Sequence, residues 1–157
     1  MNARTESVAA EEYAVEISRV FDAPASLVFK AISKPEHLAR WWGPKDFTTS
    51  VEKLEFREGG RYRFTIHGQD GRHHGMSGVF REIVEPDAIV MTFAWDDENG
   101  EPGEETLITI RITPEGAKTR LVFRHAPFAN AKTRDEHHGG WSEVLDKLPS
   151  FLSDFRG

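Results

Sequence analysis

The sequence predicts an α+β domain in which a curved, seven-stranded antiparallel sheet wraps a long C-terminal helix, with two short helices after the first strand. Three observations carry this. The odd positions Tyr13, Val15, Ile17 and Phe21 alternate with Ala14, Glu16 and Ser18, which is the two-residue period of a strand. From about residue 48 to 125 similar apolar alternation recurs, interrupted by short turns, as in an antiparallel meander. Finally, Trp141, Val144, Leu145, Leu148, Leu152 and Phe155 recur at helical spacing on one face, with Glu143, Asp146 and Lys147 opposite.

Taken in order, residues 1–11 are polar and aperiodic and read as a disordered leader, leaving 12–157 as one domain. The first strand follows, with Arg19 on its apolar parity, as an edge residue or as a polar group aimed inward. Asp22-Ala23-Pro24 then opens a helix, with a capping carboxylate and a proline in the first turn. Ser33-Lys34-Pro35-Glu36 reads as a capping box for a second short helix, which Gly43-Pro44 ends.

The meander runs through Val51 to Phe56, Tyr62 to Ile66, Val79 to Val84, Ile89 to Trp95, Ile108 to Ile112 and Leu121 to His125. Gly75 and Gly78 inside strands point to bulges or bends. The last helix is expected over about 134–155, with Pro149 as a conflict that should kink it. A strongly twisted sheet curls around such a helix, and the pattern leaves open whether side chains fill the space between them.

Composition narrows the function classes. A net charge of −6 argues against nucleic-acid binding, which needs a basic surface. Arg57, Arg61, Arg63, Arg72 and Arg81 read as the solvent face of strands. With no cysteine, disulfides, thiolate metal sites and cysteine nucleophiles are absent. No apolar run approaches the ~20 residues of a membrane span, and a cytoplasmic protein is the default expectation. His73-His74 and His137-His138 are adjacent pairs without chelating geometry, so no metal is expected. No phosphate loop or nucleophile signature is present, and no cofactor is expected.

Several segments resemble the START-like (SRPBCC) superfamily, and within it the group named after the C-terminal domain of the activator of Hsp90 ATPase. They are Arg19 to Pro24 with Val28 to Ala31, Pro35 to Leu38 leading to Arg40-Trp41-Trp42-Gly43-Pro44, and Glu58 to Phe64. Gly78 to Ile83, Gly140-Trp141 and Leu145 to Leu148 complete the set, in the expected order over about residues 13–156. The resemblance implies the helix-grip fold of START and Bet v 1 proteins, with a ligand cavity between the sheet and the C-terminal helix. An Hsp90-type chaperone is not the expected partner, because nothing here corresponds to the eukaryotic activator's separate N-terminal domain. A homodimer is compatible with this reading.

Three functions compete. The leading one is binding of a small, largely apolar molecule by Phe64, Phe93, Trp95, Phe123, Trp141 and Leu145 with a few polar groups. Trp41 and Trp42 follow the second helix, where neighbours point about 100° apart, so one is core and the other partly exposed, or one of them lines a cavity mouth. His125 shares the inward parity of Leu121 and Phe123, as a hydrogen-bonded core residue or a polar contact in the cavity. Arg19 and Glu82 are solvated, or form a buried pair, or orient a polar ligand group. The second function is a cyclase- or dehydratase-like enzyme with His125 or Glu82 as general acid/base. The third is an interaction module with an exposed apolar patch around Trp42 and Phe47.

Overall fold

A computed structural model describes residues 13–154; the leader assigned to residues 1–11, and Phe155 at the end of the helical stripe, lie outside the described residues. The chain runs β1 (Val15–Phe21), α1 (Ala25–Ser33), α2 (Pro35–Trp41), β2 (Phe47–Leu54), β3 (Arg61–Gly68), β4 (His73–Val84), β5 (Ala88–Trp95), β6 (Thr106–Glu115), β7 (Lys118–Ala126) and α3 (Ala131–Asp154). The sheet order is β1-β7-β6-β5-β4-β3-β2. β2 to β7 form the expected meander, and β1 pairs antiparallel with β7, so β1 and β2 are the two edges. The sheet curls around α3, and the apolar faces of all three helices close the core against it.

Both helix starts differ from expectation. Pro24 is the N-cap of α1, in extended conformation, and its carbonyl accepts the Leu27 and Val28 amides. Asp22 therefore lies two residues too early to cap. At α2 the N-cap is Lys34, with no side-chain cap. Pro35 holds the residue before it extended (φ −129°, ψ 141°), which sets the boundary at Lys34. Ser33 instead ends α1, and its hydroxyl donates to the Lys30 carbonyl.

The two adjacent tryptophans are both buried, each 2% exposed. α2 ends at Trp41, and Trp42 is extended (φ −69°, ψ 139°), so the angular offset of helical neighbours does not apply. Trp41 donates its indole N–H to the Ala31 carbonyl at 2.9 Å, and Trp42 donates to Met76 Sδ at 3.4 Å. The exposed patch expected at Trp42 is thus not there, and Phe47 packs half-buried against the core.

The strand glycines serve close approach. A Cβ at Gly78 would collide with the Thr92 carbonyl, and one at Gly75 with the Asp96 carboxylate. The register shifts lie elsewhere, between Val51 and Lys53 and between Phe80 and Glu82. The second shift inverts the alternation of β4. Phe80 pairs with buried Met91, whereas Glu82 pairs with Val90 and is exposed.

α3 begins at Ala131, earlier than expected, and the Asn130 side-chain oxygen accepts the Thr133 amide at 2.8 Å. It continues helically through Pro149 to Asp154 and buries Trp141, Val144, Leu145, Leu148, Phe151 and Leu152. No helix is long and apolar enough to cross a membrane among the described residues.

Candidate ligand groove

The space beneath α3 is divided unevenly. Under its middle, Trp41, Phe123 and Leu145 border a void of only about 10 Å³. Toward its N-terminal half a groove of about 470 Å³ opens. One wall is α3, through His137, Gly140, Trp141 and Val144. The other comprises Ile66 of β3, His74 and Met76 of β4, Trp95 of β5 and the Trp42-Gly43-Pro44 segment after α2.

Local sequence explains why the groove is open there. Gly140 stands one residue before the buried stripe begins, and a Cβ placed on it would meet nothing within 4 Å. Gly140 lines the groove with no side chain to occupy it. Gly43 has φ +108°, a conformation that favours glycine, and lets the chain turn sharply off Trp42. The adjoining rim is tied to α3: Glu143 accepts the Lys45 amide at 3.0 Å, and Lys147 donates to the Phe47 carbonyl at 3.1 Å. Burial lowers the Lys147 pKa, against the pull of Asp46 and Glu143.

The aromatic floor is a connected set of edge-on contacts. The Trp42 ring meets Trp141 at 5.2 Å and Phe64 at 5.4 Å, and Phe93 meets Trp95 at 5.2 Å. Such pairs contribute ~0.5–1.5 kcal/mol each beyond burial.

Two tryptophan–histidine hydrogen bonds complete the site. Trp141 donates its indole N–H to His125 Nδ1 at 3.0 Å. An indole nitrogen only donates, so Nδ1 is the acceptor and the ring proton sits on Nε2, which reaches Thr106 Oγ1 at 2.7 Å. That hydroxyl in turn donates to the Phe93 carbonyl at 3.0 Å. His125 is fully buried, and desolvation, with His137 adding to it, pushes its pKa down to about 3. The second bond runs from the Trp95 indole to His137 Nε2 at 2.9 Å, and His137 Nδ1 donates to the Thr133 carbonyl at 2.9 Å.

A family profile described as "Activator of Hsp90 ATPase homolog 1-like protein" matches residues 22–153. The chain belongs to this family. Solved structures similar to this AHSA1-like domain include a protein from Chromobacterium violaceum, at 25% identity and TM-score 0.83, covering 90% of this chain and 97% of that one. A protein from Arthrobacter aurescens is also similar at 25% identity and TM-score 0.83, covering 94% and 90%. The AHSA1 protein from Silicibacter pomeroyi shares the fold at 22% identity and TM-score 0.81, covering 89% and 97%. No curated protein matches in sequence. The family places the AHSA1-like chain in the SRPBCC superfamily, whose domains typically carry a ligand-binding cavity.

Of the residues named from sequence, the AHSA1-like fold places Trp95 and Trp141 on the groove wall. Phe64, Phe123, Leu145 and Trp41 are buried behind that wall, while Phe93 and His125, also buried, line a second recess beside it. Arg19 sits on the edge strand and reaches Asp146 of α3 at 3.3 Å, and Glu82 is exposed on the outer face. The two are not brought together. Of the two adjacent tryptophans it is Trp42, not Trp41, that stands on the wall, and sequence reasoning missed Met76, His74, Gly140 and His137 there. His137 was within reach, because it lies four residues before Trp141 on the same helical face.

Proposed function

We propose that the chain binds a small, largely apolar molecule in the groove between the N-terminal half of α3 and the sheet. One observation carries the reading: an open recess of about 470 Å³, faced by Trp42, Trp95 and Trp141. Its size falls within the ~300–1,000 Å³ of small-molecule sites, which combine apolar walls with a few polar groups. His74, His137 and Glu136 are the polar groups at this wall. An acid–base role for His125 finds no support, because both of its ring nitrogens are held by protein partners.

The test is to fill the groove without disturbing the fold. Gly140→Leu puts a side chain into open space on a helix, where replacing glycine gains roughly 0.5–1 kcal/mol. Native mass spectrometry of the protein from its host, followed by a thermal-shift panel of apolar compounds, finds the ligand. A compound at a hundred times its Kd should stabilise the wild type by ~2.7 kcal/mol and Gly140→Leu by far less. Equal stabilisation of both would place the ligand elsewhere.

A further inference from the structure

Beside the groove lies a second recess of about 320 Å³, lined by Phe93, Thr106, His125 and Phe128, with Asp96, Asp97 and Glu104 also on its wall. Among the described residues, Trp95 and His137 alone line both recesses. These two side chains are joined by the 2.9 Å indole–imidazole hydrogen bond, and His137 is held from behind by Thr133 and by the Phe128 ring at 4.5 Å. The wall shared by the two spaces is therefore one hydrogen-bonded pair of side chains.

We infer that the Trp95–His137 pair is a partition that fixes the length of ligand the groove accepts, and that parting the pair joins both recesses into one elongated site for a linear apolar chain. This rests on the groove being the ligand site. Trp95 and His137 are specificity-determining residues in this scheme: the bond closes the far end of the groove, and its loss lets a chain run on past Phe93 toward Phe128. The groove end nearest Gly140 is unaffected when the pair parts, because Trp141 is held separately by His125.

The probe is a series of alkyltrimethylammonium ions from hexyl to hexadecyl, used below their micelle concentrations and titrated by calorimetry. Their positive head is not repelled by a chain of net charge −6. In the wild type, affinity should rise about fourfold per methylene while the tail still enters apolar surroundings, then level off when it reaches the partition. Trp95→Phe keeps an aromatic ring but loses the N–H donor, and His137→Ala removes the acceptor; in both, levelling should move to longer chains. His137→Gln, which retains an acceptor, should move it back. If both variants level off at the wild-type length, or if the wild type climbs through the whole series without levelling, the partition is overturned while the groove stands. If no member binds the wild type, the groove fails as a site for apolar chains, and the partition fails with it.

Discussion

At His125 the hydrogen-bond inventory leaves one protonation state. The Trp141 indole can only donate, the Thr106 hydroxyl is oriented by the Phe93 carbonyl, and a second ring proton would point at the indole N–H. Burial acts in the same direction and lowers the folded-state pKa from 6.5 to about 3. Between those values the unfolded chain binds more protons than the folded one. The stabilising contribution is thus fully present above about pH 6.5 and is lost as pH falls toward 3. It amounts to a few kcal/mol, because each tenfold loss of proton affinity on folding is worth about 1.4 kcal/mol. Urea unfolding at pH 7 and pH 4 should show a smaller acid loss in His125→Gln than in the wild type. Equal losses would mean that His125 does not drive the acid sensitivity. Arg19 illustrates the opposite case. Its ion pair with exposed Asp146 lies at a sheet edge away from the groove, so Arg19→Ala should change stability by less than ~1 kcal/mol and leave ligand affinity unaltered.

At the scale of elements, α3 does two jobs with one stripe. Its C-terminal half seals the core through Leu145, Leu148 and Leu152, while its N-terminal half, with Gly140 on the wall, leaves the groove open. Pro149 lies in the sealed half and is exposed, yet it deprives the Leu145 carbonyl of its helical donor. Relative to alanine an interior proline costs up to ~3 kcal/mol, partly offset by ~1 kcal/mol of lost unfolded-state freedom. Pro149→Ala should therefore raise unfolding free energy by about 1–2 kcal/mol in a denaturant titration, and a decrease would show that the proline fits its site. The rim clamp can be read out separately. Glu143→Ala removes the hydrogen bond to the Lys45 amide, a loss of about 1 kcal/mol of unfolding free energy. A denaturant titration showing no loss would mean that the rim holds without it.

On the scale of the whole molecule, the fold joins a local meander to one long-range closure. β2 to β7 pair with their sequence neighbours, while β1 returns to β7 across the full length of the sheet region, as in Ile17 opposite Phe123. That closure brings the helices between β1 and β2 over the same face as α3. Trp42, delivered by α2, meets Phe64 of β3 and Trp141 of α3 in one aromatic set, which fills the centre and leaves the groove at the N-terminal end of α3. Filling that end is the global test of the functional reading, and Gly140→Leu should give a protein at least as stable as the wild type by thermal melting. A sharp drop in its Tm would show that the recess is needed for the fold itself.

The sequence by itself determined the seven strands, the two short helices, the long helix and the buried parity, because periods of 2 and 3.6 residues report which face meets the core. Tyr62, Phe64, Ile66, Phe123, Leu145 and Leu148 are all buried as their spacing requires. It also led to the family, through segments such as Arg40-Trp41-Trp42-Gly43-Pro44. Tertiary structure decided the rest. Parity tells inside from outside but not wall from filling, so Phe64, Phe93 and Phe123 were indistinguishable from Trp95 until the helices were docked. A one-residue bulge, invisible to alternation, turned Glu82 outward. A residue held extended before Pro35 shifted a helix start, and the extended backbone at Trp42 put both tryptophans inside. The groove exists because α3, β3, β4, β5 and the segment after α2 converge around a side-chain-free position at Gly140, and a convergence of distant elements has no local signature in the chain.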